Sequence, residues 1–149
     1  MAEVIIVDSA EEAGALVGGA IGDAISQKPE FVLGVATGST PLTTYRSLAE
    51  VIRERGIDVS RVRAFALDEY LGLPEGHPES YRTVVDREVV NVLGLSPENV
   101  RVPDGDVSHA ETACTDYELA IRAAGGVDVQ LLGIGTSGHI GFNEPGSSL

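Results

Sequence analysis

The sequence predicts an α/β fold: a doubly wound, mostly parallel sheet with helices on both faces, Rossmann-like, and incomplete at its C-terminus. Three observations carry this expectation. Short apolar runs alternate with stretches of helical length and periodicity along the whole chain. Glycine, proline and hydroxyl residues stand between them, where strand-to-helix turns need them. The last stretch, from Gly133 onward, is rich in glycine and serine where a covering helix is expected to follow the final strand.

The elements follow in order. Glu3 to Val7 is an apolar run predicted as a strand, and Ser9 with Glu12 has the capping-box spacing that opens a helix towards Gln27. Gly14, Gly18, Gly19 and Gly22 lower that helix's intrinsic propensity and are expected to let it lie close against a sheet. After Pro29, Phe31 to Ala36 reads as a buried strand. Pro41 suits a first helical turn, and a helix follows through Tyr45, Leu48 and Ile52. Val62 to Leu67 is a strand, Asp68 to Glu79 a polar loop, Ser80 to Val92 a helix, and Asn99 to Val102 a short strand. Ser108, with Glu111 three residues on, is expected to cap a helix that Gly125 and Gly126 end. Val127 to Leu132 is the last strand.

Composition narrows the function. The 149 residues carry 23 acidic and 10 basic side chains, a net charge of −13, with Lys28 the only lysine. At 43% hydrophobic and 22% charged, the chain is globular rather than disordered. A nucleic-acid partner is not expected, because phosphate neutralisation needs clustered basic residues. No run approaches the roughly 18 apolar residues of a membrane span, and no basic-then-apolar leader opens the chain, so the expected compartment is the cytoplasm. A single cysteine, Cys114, fits a reducing compartment and is expected to be a small core residue, not a nucleophile. The acidity, with arginine kept and lysine nearly absent, fits a salty solvent that screens self-repulsion; a plain carboxylate-rich surface is the other reading.

In open parallel sheets, ligands bind outside the carboxyl ends of the strands, and three such ends carry unusual residues here. Gly38, Ser39 and Thr40 join a strand to a helix N-terminus, where free N–H groups, hydroxyls and the helix dipole favour a phosphate; an ordinary capped turn has the same spacing. Asp68 and Glu69 follow the next strand. Adjacent strand residues point to opposite faces, so only one, Asp68, is expected to enter the site as a general base, unless the pair is a solvated turn. His77 in the same loop reads as a loop-packing residue. The third end runs from Gly133 through His139 to Glu144. Its glycines imitate a dinucleotide fingerprint, yet no helix and no acidic residue about 20 positions on can follow, so no nicotinamide cofactor is expected. His139 with Glu144 five residues later suits proton transfer at neutral pH, although such a pair is often structural. The three histidines are far apart and no metal is expected.

Together the segments ATGSTPLTTYRSL (36–48), ALDEYLGLPEGHPESYR (66–82) and LLGIGTSGHIGFNEPGSSL (131–149) resemble glucosamine-6-phosphate deaminases, within the sugar-phosphate isomerase and 6-phosphogluconolactonase-like superfamily. The resemblance runs in order over the whole chain, and the ending Phe142 to Pro145 favours the deaminase branch over the lactonases. It implies conversion of glucosamine 6-phosphate and water to fructose 6-phosphate and ammonia, without metal or organic cofactor. It further implies that Gly38, Ser39 and Thr40 hold the sugar phosphate and that Tyr81 borders the site. His139, assisted by Glu144, would open the pyranose ring, and Asp68 would move a proton between C2 and C1.

Two departures qualify this. Ser137 stands where the family has an aspartate beside the histidine, and a hydroxyl supplies no charge. His139 is therefore expected to be a weaker proton carrier, with ring opening impaired more than isomerisation. The family also continues for roughly another hundred residues, on the scale of a half-domain. Residues 1–149 thus read as the N-terminal part of a longer α/β domain, with cations for the phosphate and the oligomer interface beyond it. A homo-oligomer or a complementing C-terminal half is the implied protein partner. A related lactonase or isomerase, or a non-catalytic sugar-phosphate-binding remnant, are the alternative readings.

Overall fold

The computed structural model describes residues 2–147 and contains one four-stranded parallel sheet. In chain order the elements are α1 (Ala10–Gln27), β1 (Val32–Val35), α2 (Leu42–Arg55), β2 (Arg63–Ala66), α3 (Tyr81–Val85), a π-helical turn (Asp86–Val90), α4 (Asn91–Leu93), β3 (Val100–Arg101), α5 (Ala110–Ala123) and β4 (Val129–Gln130). The strand order is β3-β2-β1-β4, with Val32 facing Arg63 and Leu33 facing Val129.

Helices cover both faces, as the pattern predicts. Leu33 and Val35 of β1 and Ala64 and Ala66 of β2 pack with Ile21, Ile25, Tyr45 and Leu48 of α1 and α2 and with Val85, Val89 and Leu93 of the α3–α4 helical stretch. On the other face Val32 and Phe65 meet Tyr117, Ala120 and Ile121 of α5. The period-2 alternation along β1 and β2 is what sends successive side chains to the two layers. The lone lysine ties α1 to the far edge: Lys28 Nζ lies 2.7 Å from both carboxylate oxygens of Asp128, which also accepts from the Val32 amide at 2.8 Å. That hydrogen bond from Lys28, more than any other contact, holds the Asp128 carboxyl below its usual range.

Ser9 caps α1 as its spacing predicts: its Oγ accepts from the Glu12 amide at 3.1 Å, while the Glu12 carboxylate takes the Asp8 amide at 2.9 Å. Four expectations are corrected. Glu3–Val7 forms no strand, and Ile6 is 92% exposed; an apolar run becomes a strand only beside a backbone it can pair with, and none of the described strands lies next to it. The α1 glycines serve a helix rather than the sheet. A Cβ on Gly14 would stand 2.6 Å from the Thr43 carbonyl carbon, and one on Gly18 2.8 Å from the Leu48 amide nitrogen, so this stripe lets α1 and α2 touch backbone to backbone. Ser108 does not cap α5; the Asp106 carboxylate accepts both its amide and its hydroxyl, closing a 3₁₀ turn first, because a carboxylate is the stronger acceptor. Cys114 is exposed, since α5 buries the stripe through Ala113, Tyr117, Ala120 and Ile121 and leaves position 114 outside it.

Candidate active site

The three strand ends meet at one cleft of about 650 Å³. Its first wall is the loop from β1 to α2. Tyr45, buried in α2, accepts from the Ala36 amide at 3.0 Å and donates to the Ala36 carbonyl at 2.8 Å, so the end of β1 is pinned before the loop begins. Gly38 then adopts φ +98°, a left-handed conformation glycine enters without a Cβ clash. Pro41 brings no capping side chain to α2, so the first helical N–H groups and the Ser39 and Thr40 hydroxyls border the cleft with the positive end of the helix dipole.

The second wall follows β2. Asp68 faces the cleft half-buried, and its carboxyl is pushed above the usual range by burial and then by the neighbouring Glu69 charge. Glu69 points elsewhere; both acids lie past the end of β2 at Ala66, so the cause is the amides Glu69 binds and not strand alternation. Its carboxylate accepts the Tyr70 amide and caps α3 through the amides of Tyr81 and Arg82, each at 2.8 Å. The two acids therefore have separate tasks. His77 is a loop-packing residue, its Nδ1 accepting from the Glu79 amide at 3.1 Å.

The third wall is the loop after β4. Gly135 donates its amide to the His139 carbonyl at 2.8 Å, and the imidazole lies flat over Gly135, where a Cβ would fall 2.0 Å from the ring. Ser137 Oγ sits 2.7 Å from His139 Nδ1 and donates to Glu144 Oε2 at 2.8 Å, while Glu144 Oε1 is 3.2 Å from the same Nδ1. With the hydroxyl proton committed to Glu144, Nδ1 must be the protonated nitrogen, and Nε2 is left as the acceptor of the neutral ring. A Cβ on Gly141 would stand 3.0 Å from Asp68 Oδ2, so this loop closes directly over the second wall. Of the residues expected from sequence, Gly38, Ser39, Thr40, Asp68, Tyr81 and His139 line one cleft, and Ser137 and Glu144 stand behind the histidine. The last two residues of the third segment, Ser148 and Leu149, lie outside the described residues.

The structure adds residues that the loops did not announce. Tyr70 and Phe142 join the expected Tyr81 in a ring cluster at the rim, with centroids 4.9, 5.0 and 5.7 Å apart. Burial, followed by the Tyr70 hydroxyl, pushes the Tyr81 phenol up to about 12. Arg87 and Glu88 also line the cleft; in sequence they are two residues of a helix. Only their position three and four residues after Val84, itself three after Tyr81, on the same helical face could have pointed to them. Among the described residues, no group of three or more His, Cys, Asp or Glu side chains is placed to hold a metal ion. The cleft thus offers an anion cradle at a helix N-terminus, a carboxylate of raised proton affinity, and an oriented imidazole.

Comparison with known proteins agrees with the resemblance. The family model described as "Glucosamine-6-phosphate isomerases/6-phosphogluconolactonase" matches residues 7–142. A glucosamine-6-phosphate deaminase of Arthrobacter sp. (strain FB24) is 56% identical over 147 residues, covering 99% of this chain and 56% of that protein. One from Bifidobacterium longum (strain DJO10A) is 54% identical over 158 residues, covering 100% of this chain and 58% of that protein. The chain therefore spans a little over half the length of these relatives. Among solved structures, a monomeric glucosamine-6-phosphate deaminase superposes with a TM-score of 0.91 at 36% identity, over 99% of this chain and 61% of the other. A 6-phosphogluconolactonase from Thermotoga maritima shares the fold, with a TM-score of 0.74 at 24% identity over 94% of this chain and 62% of that one.

Proposed function

The chain belongs to the family of glucosamine-6-phosphate isomerases and 6-phosphogluconolactonases, and from that premise we propose that its protein is an isomerising deaminase, converting glucosamine 6-phosphate and water to fructose 6-phosphate and ammonia. The observation that carries this reading is the pairing, across one cleft, of a half-buried Asp68 with an imidazole whose Nε2 is left free by Ser137 and Glu144. Opening the sugar ring needs a proton carrier at oxygen and the isomerisation needs another between C2 and C1, whereas a lactone hydrolysis needs no base at a carbon.

In the proposed reaction the phosphate rests on Gly38, Ser39 and Thr40 at the N-terminus of α2. His139 Nε2 takes the proton of the anomeric hydroxyl and returns one to the ring oxygen, opening the pyranose. Glu144, directly and through Ser137, stabilises the imidazolium that forms between these two transfers. Asp68 removes the C2 proton and delivers it to C1. The resulting C2 imine is then hydrolysed, leaving fructose 6-phosphate and ammonia. A raised carboxyl suits this work, because a base of higher proton affinity abstracts from carbon more readily. The expected compartment is the cytoplasm, since a phosphorylated sugar is an anion that does not cross a bilayer unaided. The deciding experiment follows ammonia and fructose 6-phosphate together from glucosamine 6-phosphate. Hydrolysis of 6-phosphogluconolactone without any ammonia from the amino sugar would support the lactonase instead.

A further inference from the structure

Asp68 has to meet a carbon proton in a fixed geometry, yet its own carboxylate has little to hold it. Burial first and then the Glu69 charge raise its proton affinity, and no hydrogen bond among the described residues is one of the causes. A reacting group without such an anchor takes its place from its main chain and from packing. On the cleft side it abuts the third loop, where a Cβ on Gly141 would stand 3.0 Å from Asp68 Oδ2. Its main chain is held by the next residue.

Glu69 is half-buried, and both of its oxygens are engaged. Oε1 accepts from the amides of Tyr70 and Tyr81 and Oε2 from that of Arg82, each at 2.8 Å. Thr83 donates to Ser80 Oγ at 3.2 Å and Val84 to the Ser80 carbonyl at 3.0 Å, so the four opening amides of α3 all have acceptors. The helical stretch behind them is anchored in the core through Val85, Val89 and Leu93. From the far side the loop before α5 closes in. Gly72 donates to the Gly105 carbonyl at 2.8 Å, and a Cβ on Gly105 would fall 2.7 Å from the Tyr70 carbonyl oxygen and 3.3 Å from Glu69 Cγ. One carboxylate thus ties the main chain beside Asp68, and that of both rim tyrosines, to a packed helix.

We propose that Glu69 is the positioning residue of the base: by fastening the Asp68–Tyr70 main chain to the first turn of α3 it holds the Asp68 carboxylate at the reacting carbons. This rests on the reading of Asp68 as the base at C2 and C1. The Glu69 charge has a second effect, since after burial it is what raises the Asp68 carboxyl. The Tyr81 phenol of α3 and the Tyr117 phenol of α5 are close enough to feel the Asp68 charge, and His139, Glu79, Arg87 and Glu88 line the cleft. The phenols carry no charge near neutral pH and the cleft charges belong to other residues. E69Q therefore removes one charge from around Asp68 and leaves the rest.

Two variants separate position from charge. E69D keeps the charge and shortens the reach by one methylene. Its kcat for ammonia release should fall on the order of a hundredfold with KM unchanged, the loss expected when a reacting group moves by about 1 Å. E69Q keeps the reach and loses the charge. Its Asp68 carboxyl, followed by carbon-13 NMR and identified by its absence from D68N, should titrate at lower pH than in the parent. A merely structural role would lower the unfolding midpoint and leave that titration in place. An E69D enzyme with parental kcat overturns the proposal, as does an E69Q protein whose Asp68 titrates as in the parent. A lowered Asp68 titration in E69Q, from a parent that releases no ammonia, would refute the deaminase reading and leave Glu69 its hold on Asp68. Ammonia release by E69D at the parental rate would do the reverse.

Discussion

Replacing Ser137 by alanine removes one oxygen that holds two partners, His139 Nδ1 at 2.7 Å and the Glu144 carboxylate at 2.8 Å. A hydrogen bond to a charged group contributes about 1.5–3 kcal/mol net, and the open setting of Glu144, 61% exposed, places this one near the lower end. Glu144 Oε1 remains 3.2 Å from Nδ1 in the variant, so the ring keeps one anchor and loses the other. About 1.5 kcal/mol of lost orientation corresponds to roughly a tenfold fall in kcat. KM should move little, because Ser137 stands behind the histidine and not on the cleft wall. Initial rates of ammonia release from glucosamine 6-phosphate read the first effect. Exchange of a C1 proton of fructose 6-phosphate with solvent in the presence of ammonia, which starts from the open-chain side, should be spared, since it runs through Asp68. S137D should raise turnover by adding a charge beside the imidazolium. Part of that gain is offset by repulsion from Glu144, which at about 4 Å lies between about 1 kcal/mol in bulk water and about 4 kcal/mol at the effective dielectric of a protein surface. An S137A enzyme with parental kcat, or an S137D enzyme with unchanged turnover, would refute this account of the hydroxyl.

Other outcomes follow from the same geometry. D68N should abolish turnover while the unfolding midpoint at neutral pH stays level or rises. The raised carboxyl binds its proton more tightly folded than unfolded, so its contribution to stability declines as pH climbs from about 3.8 through the folded value; a large fall in midpoint contradicts this. Asp128 works in the opposite sense. Its lowered carboxyl stabilises the fold above about 3.8 and loses that effect as pH drops through the folded value, so D128N should flatten the acid limb of a stability-versus-pH curve. Gly18→Ala drives a methyl to 2.8 Å from the Leu48 amide nitrogen and should cost about 1–3 kcal/mol in urea unfolding. Gly19→Ala, with nothing within 4 Å, should instead gain about 0.5–1 kcal/mol. Equal effects at the two positions would mean that α1 and α2 do not meet as described.

The parts of the fold legible in the sequence were those whose cause is local. Strand alternation in Val32–Val35 and Arg63–Ala66 and the Ser9 cap follow from backbone geometry within a few residues. Two departures from the predicted pattern depend on partners elsewhere in the chain. Glu3–Val7 has the composition of a strand and none of the described strands beside it, and Gly14 and Gly18 pack against a helix that is about thirty residues away in sequence.

The candidate site divides in the same way. Gly38, Ser39, Thr40, Asp68 and His139 sit at strand ends, and a parallel sheet gathers strand ends on one edge whatever its side chains are, so their meeting could be derived from element order alone. The linkage of Ser137 to both His139 and Glu144 depends on how one loop folds back on itself. That Arg87 lines the same cleft as Gly38, Ser39 and Thr40 depends on how a helical face packs against α2 and β1. Periodicity and strand order are properties of neighbouring residues and are written in the chain. Distances between side chains remote in sequence are set only when the core closes, and for this protein they decide which residues share the cleft.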